Sequence, residues 1–159
     1  MAAGKTTPEM NRQYRTSSAD ETMQVGRELA GMLAPPLVVV LTGDLGAGKT
    51  TLVKGIAKGF HAAAEEDVTS PTFTLVHEYH GPSVNLFHID LYRVDTEREL
   101  LTLGLDDLMD GGNILIIEWG EKFELFRRER DVEITIRRVG EMEREIRVIF
   151  TAEARRHGG

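Results

Sequence analysis

Hydrophobic positions in the first part of the chain predict a helix. Ser18-x-x-Glu21 is a capping-box pattern, in which a hydroxyl and a carboxylate bind free N–H groups at a helix start. After this pattern, apolar residues recur at helical spacing: Val25, Leu29, Met32 and Leu33. We therefore predict a helix from about Asp20 to Leu33, ended by Pro35 and Pro36.

The pattern then changes to that of a strand. "LVVVLT", residues 37–42, is a short and continuously apolar run, which is typical of a strand buried on both faces of a sheet. The glycine-rich stretch "TGDLGAGKTT" overlaps its last residue and continues beyond it. The residues from Lys49 to about Phe60 are expected to form the next helix.

The middle of the chain predicts a hairpin and a short helix. Apolar and polar residues alternate over residues 72–79 and again over 84–92, with "HGPS" as a turn between the two runs. Thr96-x-x-Glu99 is a second capping box, which opens a short helix that Gly104 ends.

The last part of the chain completes the predicted fold. "NILIIEW" reads as another buried strand, and "DVEITIRR" and "REIRVIF" alternate around "VGE" as an antiparallel hairpin. Together these elements predict an α/β fold, a P-loop NTPase-like three-layer domain whose mixed sheet has a parallel core plus antiparallel strands. We predict one such domain over residues 16–152, between a flexible N-terminal arm, 1–15, and a flexible tail, 153–159.

Composition and charge restrict the classes of partner. The chain has 159 residues and a formal net charge of −7, and its basic clusters are interleaved with acidic residues or lie in the tail. Direct binding to RNA or DNA is disfavoured, because phosphate neutralisation needs a basic face. The sequence has no cysteine, no signal-peptide pattern and no apolar run long enough to cross a bilayer. We expect a soluble cytoplasmic protein with a protein partner and no membrane partner.

The glycine-rich stretch carries the strongest chemical signal. Gly43-x4-Gly48-Lys49-Thr50 matches the P-loop pattern at every position, between a predicted strand and a predicted helix. In a P-loop, backbone N–H groups and the positive end of the helix face the phosphates of a nucleotide. Lys49 is expected to reach the β- and γ-phosphates and Thr50 to bind Mg²⁺. An ordinary glycine turn is the alternative, which the strand–helix context disfavours.

Two carboxylates at strand ends are candidates for metal binding and catalysis. "ILIIE" ends at Glu118 after four apolar residues, the form of a Walker B strand, which predicts Glu118 at the metal. "LFHID" puts His88 and Asp90 on one face of a strand, because side chains alternate along it. A polar residue at the point where a strand leaves the core is the alternative for each carboxylate. For His88 the alternative is a structural hydrogen bond.

Several further features leave alternatives open. Trp119, the only tryptophan, suits a core anchor or a docking surface, and "TSPTF", residues 69–73, suits a rigid turn or a loop that senses a γ-phosphate. Tyr92 and Arg93 would contact the nucleotide or cap the strand. The Asp-x-x-Gly and Asn-Lys-x-Asp motifs of Ras-type GTPases do not occur in the sequence, so ATP is favoured over GTP.

The motifs together resemble one family. "GDLGAGKTTL", "SPTFTLVHEY", "HIDLYR", "LGLDDL" and "IIEWGEK", in this order, resemble the TsaE (formerly YjeE) family of bacterial proteins from about Ser17 to Phe150. "SPTF", "H-x-D-L-Y-R" and "IEW" are not general P-loop features. The resemblance implies a weak, Mg²⁺-dependent ATPase that acts with the TsaD and TsaB proteins in making N6-threonylcarbamoyladenosine at position 37 of tRNA. Contact with tRNA would then be indirect, through that complex.

The resemblance also implies roles for single residues. It makes Lys49, Asp90 and Glu118 catalytic, puts Thr50 and Glu118 on Mg²⁺, and makes residues 69–72 a switch-like loop. Ser18 and Ala19 would lie against the base. The full set expected to bind ATP is Ser18, Ala19, Asp44, Leu45, Gly46, Ala47, Gly48, Lys49, Thr50 and Thr51.

Two other functions fit a P-loop. A small-molecule kinase would use Asp90 as its base, and "RRERD" is the only, poor candidate for its arginine-rich lid. A nucleotide-gated binding module without useful turnover is the third interpretation.

Overall fold

The computed structural model describes residues 11–44, 46–64 and 76–151, in which eight strands form a single sheet. The strands are β1 (Arg12–Thr16), β2 (Leu37–Thr42), β3 (Ala63–Ala64), β4 (Val76–His80), β5 (Asn85–Asp90), β6 (Asn113–Glu118), β7 (Val132–Arg138) and β8 (Arg144–Phe150). The helices are α1 (Ala19–Ala30), α2 (Lys49–Gly59), α3 (Glu97–Thr102) and α4 (Glu124–Glu129), with short 3₁₀ helices at Leu105–Leu108 and Gly120–Lys122.

The sheet is mixed, as the sequence predicts. Its strand order is β1-β8-β7-β2-β6-β5-β4-β3. The four neighbours β7, β2, β6 and β5 are parallel, and every pairing outside them is antiparallel. Both predicted hairpins are confirmed, β4 with β5 and β7 with β8. The predicted strand over 72–79 is described from Val76 onward, and residues 69–72 and 153–159 lie outside the described residues.

Helices cover both faces of the central strands, which gives the predicted three layers. Val39 and Leu41 of β2 belong to the hydrophobic cluster that includes α1 and α2. Val38 and Val40 point to the opposite cluster, which includes residues of α3 and α4. The continuous apolar run of β2 is therefore explained by burial on both sides of the sheet.

The first helix ends earlier than its apolar pattern predicts. Ser18 caps α1 as expected, and its Oγ accepts a hydrogen bond from the N–H of Glu21 at 3.1 Å. The helix ends at Ala30 rather than Leu33. The N–H of Gly31 binds the carbonyl of Glu28 at 3.1 Å, so the last turn tightens there and closes the helix.

The predicted boundary of the N-terminal arm at residue 15 is wrong. Arg12–Thr16 form β1, which pairs with β8 from Arg12 opposite Val148 to Thr16 opposite Arg144. The segment "RQYRT" is mostly polar, and Tyr14 is its hydrophobic residue packed on the core. Backbone pairing with a distant strand holds β1, and a local hydrophobic pattern does not report such pairing.

None of the helices in residues 11–44, 46–64 and 76–151 combines the length and the apolar character needed to span a membrane.

The contact between α1 and α2 depends on a glycine. A methyl group at Gly26 would lie 2.5 Å from the carbonyl oxygen of Leu52 and 2.8 Å from the backbone nitrogen of Ile56. Since these atoms are main-chain atoms of α2, the helices would have to separate. We expect Gly26→Ala to lower the free energy of unfolding by about 1–3 kcal/mol, measured by urea denaturation.

Gly31→Ala is the matched control for this prediction. A methyl group there would be 3.5 Å from its nearest neighbour, the carbonyl oxygen of Glu28, and the φ angle of −69° suits alanine. We expect Gly31→Ala to unfold like the wild type. Equal stability of Gly26→Ala and wild type would contradict the close packing of the two helices.

Candidate functional site

The parallel strands bring the predicted site residues to one edge of the sheet. β2 runs into the glycine-rich loop, β5 ends at Asp90 and β6 ends at Glu118. Glu118 lies opposite Leu41 in one pairing and opposite Asp90 in the other. The loop and the two carboxylates therefore meet where parallel strands end, which is the usual place for a ligand in an α/β sheet.

These residues line one cavity of about 1120 Å³. One predicted residue, Ala47, does not stand on its wall and is fully buried, and Leu45 lies outside the described residues. The predicted residues that do line it are Ser18, Ala19, Asp44, Gly46, Gly48, Lys49, Thr50, Thr51, Asp90 and Glu118.

The glycine-rich loop presents a helix start to the cavity. Gly48 has a φ angle of +105°, a left-handed conformation that favours glycine, and α2 begins at the next residue, Lys49. Because Gly48 has no side chain that could cap α2, the positive end of this helix is open to an anion in the cavity.

Glu118 is held between two cationic or hydrogen-bonding side chains. Its Oε1 lies 3.1 Å from Nζ of Lys49, and its Oε2 lies 2.6 Å from Nε2 of His88. Lys49 also donates to the carbonyl oxygen of Gly43 at 2.6 Å. Both carboxylate oxygens of Glu118 thus have a partner, and Lys49 binds two acceptors, Oε1 of Glu118 and the carbonyl oxygen of Gly43.

Burial and pairing act in opposite directions on Glu118. Burial raises the pKa of Glu118, but the hydrogen bond and charge of His88 and the charge of Lys49 outweigh it and leave the pKa below its ordinary value. Glu118 is therefore an ionised carboxylate at neutral pH, at the end of a buried strand.

His88 acts on Glu118 rather than on Asp90. Its side chain is fully buried, and its Nε2 binds the carboxylate of the neighbouring strand. Its Nδ1 finds no hydrogen-bond partner among the described residues. This geometry matches the structural hydrogen bond that was the alternative for His88, with Glu118 as the partner.

Asp90 stands at the cavity wall, half-buried. Its Oδ1 accepts a hydrogen bond from the N–H of Tyr92 at 2.9 Å, which fixes the carboxylate relative to the following loop. The side chain lies on the same face of the sheet as Glu118, since the two residues are register partners.

Two aromatic side chains form part of the rim of the cavity. The rings of Tyr92 and Trp119 are 5.2 Å apart between centroids and inclined by 53°. Trp119 has a φ angle of +67° and is 38% exposed, so it is not a core anchor. Both side chains also line the cavity, which puts an exposed aromatic pair next to the candidate site.

The sequence analysis missed Arg144, which braces the loop. Its Nε donates to the carbonyl of Ala47 at 2.9 Å and its Nη2 to the carbonyl of Gly46 at 3.3 Å. Arg144 begins β8, and its sequence context marked it only as part of a strand. A side chain that binds main-chain carbonyls leaves no pattern in a sequence, so this contact is visible only in the structure.

The fold and the site define a class of protein. A central parallel strand, a glycine-rich loop and a helix that starts at the loop lysine are the parts of a P-loop α/β protein. A family model described as "Threonylcarbamoyl adenosine biosynthesis protein TsaE" matches residues 16–146, and the chain belongs to the TsaE family. The resemblance seen in the sequence motifs is confirmed, and the family places the chain in tRNA threonylcarbamoyladenosine biosynthesis.

Individual relatives agree with the family assignment. The TsaE protein of Bacillus subtilis is 39% identical over 144 residues, which span 91% of this chain and 87% of that protein. The TsaE protein of Treponema pallidum is 39% identical over 131 residues, 82% of this chain and 95% of that protein. A crystal structure of YdiB from Bacillus subtilis superposes with a TM-score of 0.68 at 31% identity, covering 94% of this chain and 97% of that chain.

The lowered pKa of Glu118 predicts how stability depends on pH. Because its folded-state pKa is below the ordinary value of 4.5, its charge stabilises the fold above pH 4.5, and this stabilisation is lost as the pH falls further. We expect the wild type to exceed Glu118→Gln in free energy of unfolding by about 1–3 kcal/mol at neutral pH. The difference should narrow below pH 4.5 in urea titrations.

Glu141→Gln supplies the control for this pH series, since Glu141 is exposed. We expect it to track the wild type at every pH. A constant difference between wild type and Glu118→Gln across the acid range would rule out the charge as its cause.

Proposed function

We propose that this protein is the Mg²⁺-dependent subunit that binds and hydrolyses ATP in tRNA threonylcarbamoyladenosine biosynthesis, acting in the cytoplasm with TsaD and TsaB. The observation that carries the proposal is a cavity that the P-loop, Lys49, Asp90 and Glu118 line together. Its volume of about 1120 Å³ suits a ligand of nucleotide size.

The cavity offers separate places for the two ends of a nucleotide. The start of α2 and the ammonium of Lys49 suit the phosphates, because both present positive charge to the cavity. Ser18, Ala19 and Thr22 line the same cavity from the start of α1, which suits contact with the base. Arg144 would keep the loop in shape during binding.

The residues at the strand ends fit a magnesium ion. Mg²⁺ is usually held by one or two protein oxygens, with water and substrate phosphates completing its shell. Thr50 and Glu118 supply such oxygens, and no cluster of three or more metal-binding side chains occurs in the described part of the chain. When bound, the ion would neutralise charge on the phosphate oxygens.

Lys49, His88 and Asp90 would have different roles in ATP hydrolysis. Lys49 now binds Glu118 and the carbonyl of Gly43, so turning toward phosphates would release Oε1 of Glu118. His88 would keep Glu118 oriented through its bond to Oε2. Asp90, fixed by the N–H of Tyr92, would orient the attacking water.

One observation disfavours a small-molecule kinase. The arginines of "RRERD" were the only candidates for a lid, and among the described residues none of Arg127, Arg128 and Arg130 lines the cavity. The arginines that do line it are Arg93, Arg137 and Arg144. Arg137 pairs with Glu145, and Arg144 binds the loop carbonyls.

The surface next to the cavity supports a protein partner. The net charge of −7 disfavours direct binding of tRNA, while the exposed Tyr92–Trp119 pair at the rim offers apolar area for docking. A partner bound there would contact the segments that follow Asp90 and Glu118. TsaD and TsaB would in this way respond to the nucleotide, and they would carry the contact with tRNA.

One variant should lose ATP binding, and another should bind ATP but hydrolyse it slowly. We expect Lys49→Ala to weaken ATP binding at least about 100-fold in titration calorimetry, because it removes the ammonium nearest the helix start. We expect Asp90→Asn to bind ATP like the wild type but to hydrolyse it at least about 10-fold more slowly. Lys58→Ala, at an exposed position of α2, is the control for both assays. Unchanged ATP affinity in Lys49→Ala would contradict the proposal that this loop binds ATP.

The partners should raise turnover, and ATP should favour the complex. Completion of a P-loop site by a partner is worth about 10³–10⁵ in rate in related systems, so we expect a TsaD–TsaB assembly to accelerate ATP hydrolysis. We also expect the assembly to bind ATP more tightly than the chain alone, and reciprocal linkage then requires ATP to strengthen the association by the same factor. The measurements are ATPase rates and co-elution with and without nucleotide, with free tRNA and a panel of small phosphate acceptors as controls. Tight binding of tRNA by the isolated chain, or phosphorylation of an acceptor, would contradict the proposal.

A further inference from the structure

Lys122 connects the two chain segments that follow the catalytic carboxylates. Its Nζ donates to three main-chain carbonyls: Leu91 at 3.1 Å, Tyr92 at 3.0 Å and Val94 at 2.7 Å. An ammonium group has three N–H donors, so these acceptors use its full capacity. The three carbonyls belong to the segment after β5, which we call the 91–94 loop, whereas Lys122 belongs to the turn after β6.

The two segments form one unit at the edge of the sheet. The N–H of Leu91 donates to the carbonyl of Glu118 at 3.0 Å, which joins the ends of β5 and β6. Beyond that bond the chain passes Trp119 in a left-handed conformation and enters the 3₁₀ helix Gly120–Lys122. Lys122 then reaches back to the 91–94 loop, so the turn and the loop are linked at both ends.

This unit positions groups that face the cavity. The N–H of Tyr92 holds Oδ1 of Asp90 at 2.9 Å, and the ring of Tyr92 lies against Trp119. Lys122 binds the carbonyl of Tyr92 itself, so the residue that orients Asp90 is fixed from its other side. Loss of the ammonium would free the 91–94 loop to shift relative to Glu118, while the P-loop, which follows β2, would keep its own contacts with Arg144.

We infer that Lys122 is a positioning residue for ATP hydrolysis, which holds Asp90 and the Tyr92–Trp119 pair in register with Glu118. This inference rests on the proposed function. It differs from a general structural role, because Lys122 as a whole is exposed and its removal takes little apolar area out of the core. The effect should therefore fall on turnover and on the aromatic pair rather than on folding.

The test compares Lys122→Met with Lys58→Met, an exposed lysine on α2 that does not line the cavity. ATP hydrolysis is measured for each protein alone and with TsaD and TsaB, and thermal unfolding is measured in parallel. Tryptophan emission reports on the aromatic pair directly, because Trp119 is the only tryptophan in the chain. We expect kcat of Lys122→Met to fall at least about 10-fold, with KM for ATP within about 2-fold of the wild type. We also expect a shift in Trp119 emission, and a Tm close to that of Lys58→Met.

The outcomes distinguish this inference from the proposed function. Normal kcat and normal Trp119 emission in Lys122→Met, beside a wild type that turns over ATP, would overturn the role of Lys122 alone. Parallel loss of kcat, ATP affinity and Tm would also overturn it, because that result indicates general loss of structure. A wild type without ATP turnover in any mixture would overturn the proposed function, and the emission of Lys122→Met would then decide whether Lys122 positions the pair.

Discussion

The site depends on one buried carboxylate that is paired on both of its oxygens. An ionised glutamate at the end of a buried strand is costly unless it is paired and hydrogen-bonded. Lys49 at the start of α2 and His88 on the neighbouring strand β5 meet that requirement for Glu118. The pairing fixes the start of α2 against β6 and fixes β5 against β6. The relative position of the P-loop and the strand-end carboxylates follows from it.

The same arrangement ties ligand binding to the local structure. Under the proposed function, a phosphate would draw on the same Lys49 ammonium that pairs with Glu118, so a nucleotide would act on a contact that lies beneath the rim. The rim itself is joined to the strand ends through Leu91, Lys122 and the Tyr92–Trp119 pair. A change in the Lys49–Glu118 contact is therefore connected to the exposed Tyr92–Trp119 pair through a short series of hydrogen bonds. Arg144, at the start of β8, supports the loop from the side of β2 away from β6.

The sequence predicts the elements whose signals are local. The apolar run of β2, the capping box of α3 and the alternation of β7 and β8 each reflect burial or capping within a few residues. β1 cannot be predicted from a local pattern, because its five residues form a strand only by pairing with β8, which is distant in the sequence. The same distinction applies to the site. Lys49, Asp90 and Glu118 stand in recognisable motifs, whereas Arg144 and Lys122 bind main-chain carbonyls that any residue would present.

The pairing of β1 with β8 makes the two ends of the described chain neighbours. β1 and β8 lie far apart along the chain, so this edge of the sheet cannot form until β8 has been synthesised. Closing so long a loop is slow relative to local hairpin formation, and non-local pairing of this kind lengthens folding times. Ser18 follows β1 directly and Arg144 begins β8, and both line the cavity. A nascent chain therefore has no finished cavity wall before β8 has been made and has paired with β1.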